Sequence, residues 1–181
     1  IFGGQILMAD GASLRIGGTN TFPANFQTHV MGCEATVAYT GSNQSIADLN
    51  AGANYGNLLL AGSGTKTFQS GTDTICGGLG ISGSVTAVAA NDLTIGGTFS
   101  LGPNAIFQTQ QYSLQAQSWN LEGQIQSPNG EVVLSSDSPV TIPGGDFGSL
   151  VLSGTGQKTF SAPLTILESV SIQSPVQLLD G

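Results

Sequence analysis

The chain has 181 residues, with three Lys or Arg against eleven Asp or Glu, and a net charge of −8. Phosphate neutralisation and attraction to anionic lipid both need clustered cations, so Arg15, Lys66 and Lys158, scattered along the chain, argue against nucleic-acid and membrane-surface binding. No apolar run approaches the roughly 20 residues of a helical membrane span, and 39% hydrophobic residues with 8% charged ones argue for a folded chain over a disordered Gly-rich one.

In chain order the elements are short strands. An apolar-x-apolar-x-Gly run recurs from Leu14 to Gly18, Leu58 to Gly62, Leu79 to Gly83, Leu93 to Gly97 and Leu150 to Gly154. Such alternation predicts strands with one buried face, and the Gly, Ser, Thr, Asn and Asp between them supply turns. No stretch keeps a helical period. Leu58 to Leu79 spans 21 residues, while Leu79 to Phe99 and Leu150 to Val170 each span 20. That spacing predicts an all-β, right-handed parallel β-helix of about 20–21 residues per coil, eight or nine coils long, with roughly 4.8 Å between coils.

A longer period lies over the short one. Residues 55–68 read YGNLLLAGSGTKTF and residues 147–160 read FGSLVLSGTGQKTF, identical at eight of fourteen positions at an offset of 92. The chain is accordingly expected to be a single solenoid segment of two units, approximately 4–96 and 97–181. Leu58, Leu60, Leu79 and Ile81 should share one inward column, and Leu150, Leu152, Val170 and Ile172 the same column in the second copy. Phe68 and Phe160 should be equivalent buried plugs. Ile1-Phe2 and Leu178-Leu179 look like interior coil rather than polar caps, which suggests a piece of a longer protein whose coils associate end to end with neighbouring repeats.

The run GASLRIGGTNTFP from Gly11, then ATVAYTGSNQSI from Ala35, then YGNLLLAGSGTKTF, resembles the repeats of very large surface proteins of Bacteroidota. The resemblance covers most of the chain, most strongly residues 4–83 and 147–172. It implies a parallel β-helix, export by type IX secretion, a bacterial cell-surface location, and a role as adhesin, stalk or motility-associated filament. Residues 103–128 fit the pattern poorly.

Candidate chemistry is sparse. Cys33 and Cys76 are 43 residues apart, close to two coils and so about 9–10 Å along the axis. That exceeds the reach of a disulfide, and the pair reads as buried free thiols. Two Cys with one His make a protein-only zinc site unlikely. His29, near Cys33 and Glu34, could form a nucleophilic pair but reads as a coil-edge histidine bonded to backbone. Residues 78–83 satisfy G-x-G-x-x-G without the following helix that a dinucleotide site needs, and Thr65-Lys66-Thr67 lacks the Gly that precedes Lys in a phosphate loop. Two such Thr turns do not make the ladder of an ice-binding face. The acids are dispersed, although Asp73 and Asp92, 19 residues apart, could stack and bind a cation.

No catalytic residue, cofactor or metal site is therefore expected. The reading is a non-enzymatic structural stalk or adhesive repeat of a secreted protein, ahead of a polysaccharide-active enzyme. The alternative is a glycan- or surface-binding module using the irregular Gln-rich segment, with Gln108, Gln110, Tyr112 and Trp119 as candidate ligand contacts.

Overall fold

The computed structural model describes residues 3–23, 26–49, 52–173 and 178–180. They form a parallel β-solenoid of about eight turns with no helix. Each turn visits three faces in the same order. Face C begins with Gln5–Met8 on Thr28–Met31, face A with Ser13–Ile16 on Thr36–Tyr39 and Asn57–Leu60, and face B with Gln44–Ile46 on Ser63–Phe68. Later strands run over a corner: within Leu114–Leu121 the first residues pair on face C and the last on face A.

Stacking follows from the alternation. On face A, Leu14, Val37, Leu58, Leu79, Phe99 and Trp119 are successive ladder partners. On face C the sequence is Leu93, Leu114, Val132, Leu150 and Val170, alongside Ile75, Ile95, Ala116, Leu134, Leu152 and Ile172. Every second residue points inward, so each aliphatic side chain packs on its equivalents in the coils before and after it. Full burial contributes about 1.5–3 kcal/mol for each Leu or Ile, which no coil could obtain alone.

Turn residues tie the coils together from outside. A side-chain oxygen at a corner accepts a backbone N–H from the adjoining coil: Asp10 from Glu34 at 3.0 Å, Asn43 from Thr65 at 2.9 Å, Asn57 from Gly78 at 2.8 Å, Asp92 from Ser113 at 2.8 Å and Asp137 from Thr155 at 2.9 Å. Five of the dispersed acids and amides thus act as register clips between coils, four from turns and Asn57 from the first position of its strand.

The expected column of Leu58, Leu60, Leu79 and Ile81 is present and buried throughout. The second copy stacks in the expected register, Leu150 on Val170 and Leu152 on Ile172, but on face C instead of face A. The expectation of one shared column is corrected accordingly. Val170 and Ile172 are about half exposed, at 50% and 53%, because the described residues provide no further strand on that face. Phe68 is a buried plug, whereas Phe160 is only half-buried and packs at the margin of the core.

The cysteine expectation is overturned as well. Cys33 and Cys76 form a disulfide, with Cα atoms 5.2 Å apart. The estimate from coil spacing failed because Cys33 lies outside the ladder, in the turn between Thr28–Met31 and Thr36–Tyr39. That turn dips past the third coil, and two glycines let it through. A Cβ on Gly56 would collide with the Gly32 carbonyl, and one on Gly77 would lie 2.7 Å from the Cys33 carbonyl. The bridge closes a loop of 43 residues, worth about 4 kcal/mol in the chain-entropy account.

Candidate functional site

The four residues expected to contact a ligand do not converge. Trp119 points into the core, 7% exposed, with its ring edge-on to Phe99 at 5.4 Å; its indole N–H is buried without a hydrogen-bond acceptor among the described residues. Tyr112 packs against the core from the corner between faces B and C. Gln108 and Gln110 do come together, in a shallow depression of about 230 Å³ completed by Gln126, Pro128 and Asp146. Gln108 donates to the Gln126 side-chain carbonyl at 2.9 Å, a rung of a glutamine ladder on face B. Gln110 takes a positive φ of 60° in the tight turn that follows.

A larger cavity, about 470 Å³, opens at the other end of the solenoid, at the corner between faces B and C. It lies between Thr21–Pro23 of the first coil, Ala47 and Asp48 of the second, and Gln69 and Ser70 of the third, with His29 in its wall. His29 is not a coil-edge histidine bonded to backbone. It sits mid-strand on Thr28–Met31, pairs with Ile6 across the ladder and is 5% exposed, with the Phe22 ring edge-on at 5.2 Å. Neither ring nitrogen has a hydrogen-bond partner among the described residues. A Cys-His nucleophile is excluded there, since Cys33 is disulfide-bonded.

Behind the cavity wall two tyrosines bond in the core. The Tyr39 and Tyr55 hydroxyls are 3.1 Å apart; Tyr55 donates to the Ala47 carbonyl at 2.8 Å, and Tyr39 accepts the Ala47 N–H at 3.3 Å. Burial pushes both phenols above their ordinary pKa, and for Tyr55 the neighbouring Tyr39 adds to the effect. They are neutral pins for the corner that leads to Asp48.

Lys66 and Lys158, two of the three scattered cations, are fully buried. The Lys66 ammonium donates to the carbonyls of Gly41 at 2.7 Å, Ser42, and Ser63 at 3.3 Å. Lys158 donates to Ser136 at 2.9 Å and Gly156 at 2.8 Å. Each lysine caps turn carbonyls of its own coil and of the coil before, and on the Gly41 and Ser136 carbonyls it adds to a backbone bond from Ser63 and from Gly156. Burial lowers both ammonium pKa values, offset at Lys158 by the nearby Asp137 carboxylate. The sequence signal that could have revealed this is their placement at inward positions: Lys66 is two residues before Phe68, and Lys158 two before Phe160.

The remaining motifs resolve as scaffold. Residues 78–83 span the Leu79–Ile81 strand and the turn into Ser84–Val88. Asp73 precedes Thr74, whose ladder partner is Thr94, so Asp73 is offset from Asp92, and Asp92 is engaged with Ser113. Among the described residues no three His, Cys, Asp or Glu side chains gather as a metal site would require, and no helix is long and apolar enough to cross a membrane. The fold and its corners define a parallel β-solenoid. No protein-family model, curated protein or solved structure matches the chain.

Proposed function

We infer that the chain is a non-enzymatic stalk or adhesive repeat segment of a secreted bacterial surface protein. The observation that carries this reading is the unbroken inward columns on faces A and C, which spend most of the apolar side chains on coil-to-coil packing. Such a rod transmits position along its axis. The disulfide fits an oxidising compartment, which agrees with export. Half-exposed Val170 and Ile172 continue the face C columns, so a following coil, from the parent chain or from a second copy, would bury them. Two copies stacked head to tail repeat without closing and give a filament. Negative-stain microscopy and light scattering at high concentration should show axial stacking, and Val170→Lys with Ile172→Lys should suppress it. A strictly monomeric unmodified protein would remove the stacking part of the reading.

The depression at Gln108, Gln110, Gln126, Pro128 and Asp146 favours a second reading, a glycan-binding module. Amide and carboxylate groups beside an apolar ring suit sugar hydroxyls. A glycan array comparing the chain with a variant in which residues 103–128 are replaced by a regular coil separates the two readings.

A further inference from the structure

We propose that the Cys33–Cys76 bridge is a thiol-exchange site on the folded protein, open to small thiols that are neutral or cationic. Exposed disulfides are the labile ones, whereas buried structural bridges resist reduction. Cys33 is exposed and Cys76 half-buried. The Cys33 carbonyl is covered, since a Cβ on Gly77 would lie 2.7 Å from it, so the exposure belongs to the rest of the residue. A thiolate therefore reaches the Cys33 sulfur first. It bonds to Cys33 Sγ, the S–S bond breaks, and the electron pair leaves on Cys76 Sγ, which takes a proton from water. A second thiolate attacks the mixed disulfide and releases Cys33, so that two thiols are oxidised to a disulfide as the bridge is reduced.

The surroundings let the bridge open without dismantling the solenoid. Cys33 lies outside the ladder, and Thr36–Tyr39, Asn57–Leu60 and Leu79–Ile81 pair on face A without it. On the fourth coil the Cys76 N–H donates to the Tyr55 carbonyl at 2.8 Å and the Gly77 N–H to the Gly56 carbonyl at 2.9 Å, so Cys76 stays in place. On the other side, the Gly32 N–H donates to the Met8 carbonyl at 2.8 Å and the Glu34 N–H to the Asp10 carboxylate at 3.0 Å, both on the first coil. Among the described residues the bridge is the one bond between residues 32–34 and the fourth coil. Opening it detaches that turn and leaves the coils stacked, a local opening well short of global unfolding. Charge selects the thiol. Glu34 follows Cys33 in the chain and is exposed, and the Asp10 carboxylate lies against Gly32, where a Cβ would collide with it. The three cations are engaged elsewhere, Arg15 on the Thr40 hydroxyl and both lysines on turn carbonyls. Two carboxylates beside Cys33 repel an anionic thiol and draw a cationic one.

The protein would be treated without denaturant, at mildly alkaline pH, with cysteamine, mercaptoethanol or mercaptoethanesulfonate. Samples quenched with iodoacetamide are mapped by mass spectrometry while circular dichroism follows the fold. Each rate is divided by that thiol's rate with hydroxyethyl disulfide, which removes intrinsic reactivity. The expected result is opening with the β signal retained, the first mixed disulfide on Cys33 and the first alkylated thiol on Cys76. Cysteamine should lead mercaptoethanesulfonate several-fold at low salt, and both high salt and E34Q should narrow that gap. A bridge that resists all three thiols until denaturant is added overturns the proposal. So does loss of the β signal on opening, a first mixed disulfide on Cys76, or equal normalised rates for the three thiols.

Discussion

The two copies of the fourteen-residue block, at 55–68 and 147–160, fold alike and sit differently. In both, a strand leads into a left-handed glycine, Gly62 at φ 89° and Gly154 at φ 81°, and then into a strand carrying the buried lysine. Yet the first copy runs from face A to face B and the second from face C to face A. Four ladder steps link Thr74 to Val151, through Thr94, Gln115 and Val133, and Asn57–Leu60 lies two faces ahead of Thr74, so the copies are out of phase by two faces. What the repeat encodes is a corner. Both corners accept it because each offers the same things: an outward turn, an inward aliphatic pair, and turn carbonyls on the previous coil that accept the lysine N–H.

The surroundings then make the copies unequal. The first sits mid-array and is stapled by the disulfide next to Gly56; Leu167, at the place in the second copy that Cys76 holds in the first, is 59% exposed. Phe68 is 2% exposed and packs edge-on near Phe107, with ring centroids 6.4 Å apart, whereas Phe160 is half-buried. Phe68→Ala should therefore cost about 3–5 kcal/mol, the usual loss for a buried aromatic, and Phe160→Ala about 1–2 kcal/mol. Thermal melts of the two variants test this, and equal losses would mean that the copies are equivalent after all.

Lys66→Met and Lys158→Met sharpen the shared part of the comparison. Each removes a buried charge but also takes a donor from the carbonyls it capped, so both should destabilise by about 1–3 kcal/mol. The same sign and similar size in both would establish the lysine as part of the corner itself. A stabilising Met at either site would instead rank desolvation of the ammonium above its carbonyl bonds.

The smallest effect separates Asn43 from Asp137, which clip Thr65 and Thr155 in the two copies. The Thr155 backbone N–H, then its hydroxyl, and more weakly Lys158, hold the Asp137 carboxyl below its ordinary pKa. Because the folded value lies below the unfolded one, near 3.9, the clip is intact at neutral pH and is lost as pH falls through the folded value. The Thr155 amide signal should titrate in acid, while the Thr65 amide, facing a neutral Asn, should not. An identical acid response at both amides would assign it to a global change.

Much of this was legible in the chain. Leu58, Leu60, Leu79 and Ile81 announced their column because a period of two on a strand and of 20–21 between coils leaves one arrangement that buries them all. What was misread came from treating every residue as if it lay in the ladder. Cys33 belongs to a turn that leaves it, and the small residues at Gly56 and Gly77 were the available hint of a close backbone approach. The offset of 92 is no whole multiple of a 20- or 21-residue coil, and that misfit already implied a change of face.

By itself, then, the sequence determined the parallel solenoid, its coil length and its inward columns, since alternation and repetition are properties of neighbours along the chain. The tertiary structure alone decided which face each copy occupies, that Cys33 meets Cys76, that two lysines are buried as carbonyl caps, and that His29 is buried mid-strand beside a cavity. Those facts depend on the paths of the corners. A corner's path is fixed by side-chain and backbone contacts with the coils above and below it, which lie about twenty residues away in the sequence and only one strand spacing, roughly 4.8 Å, away in space.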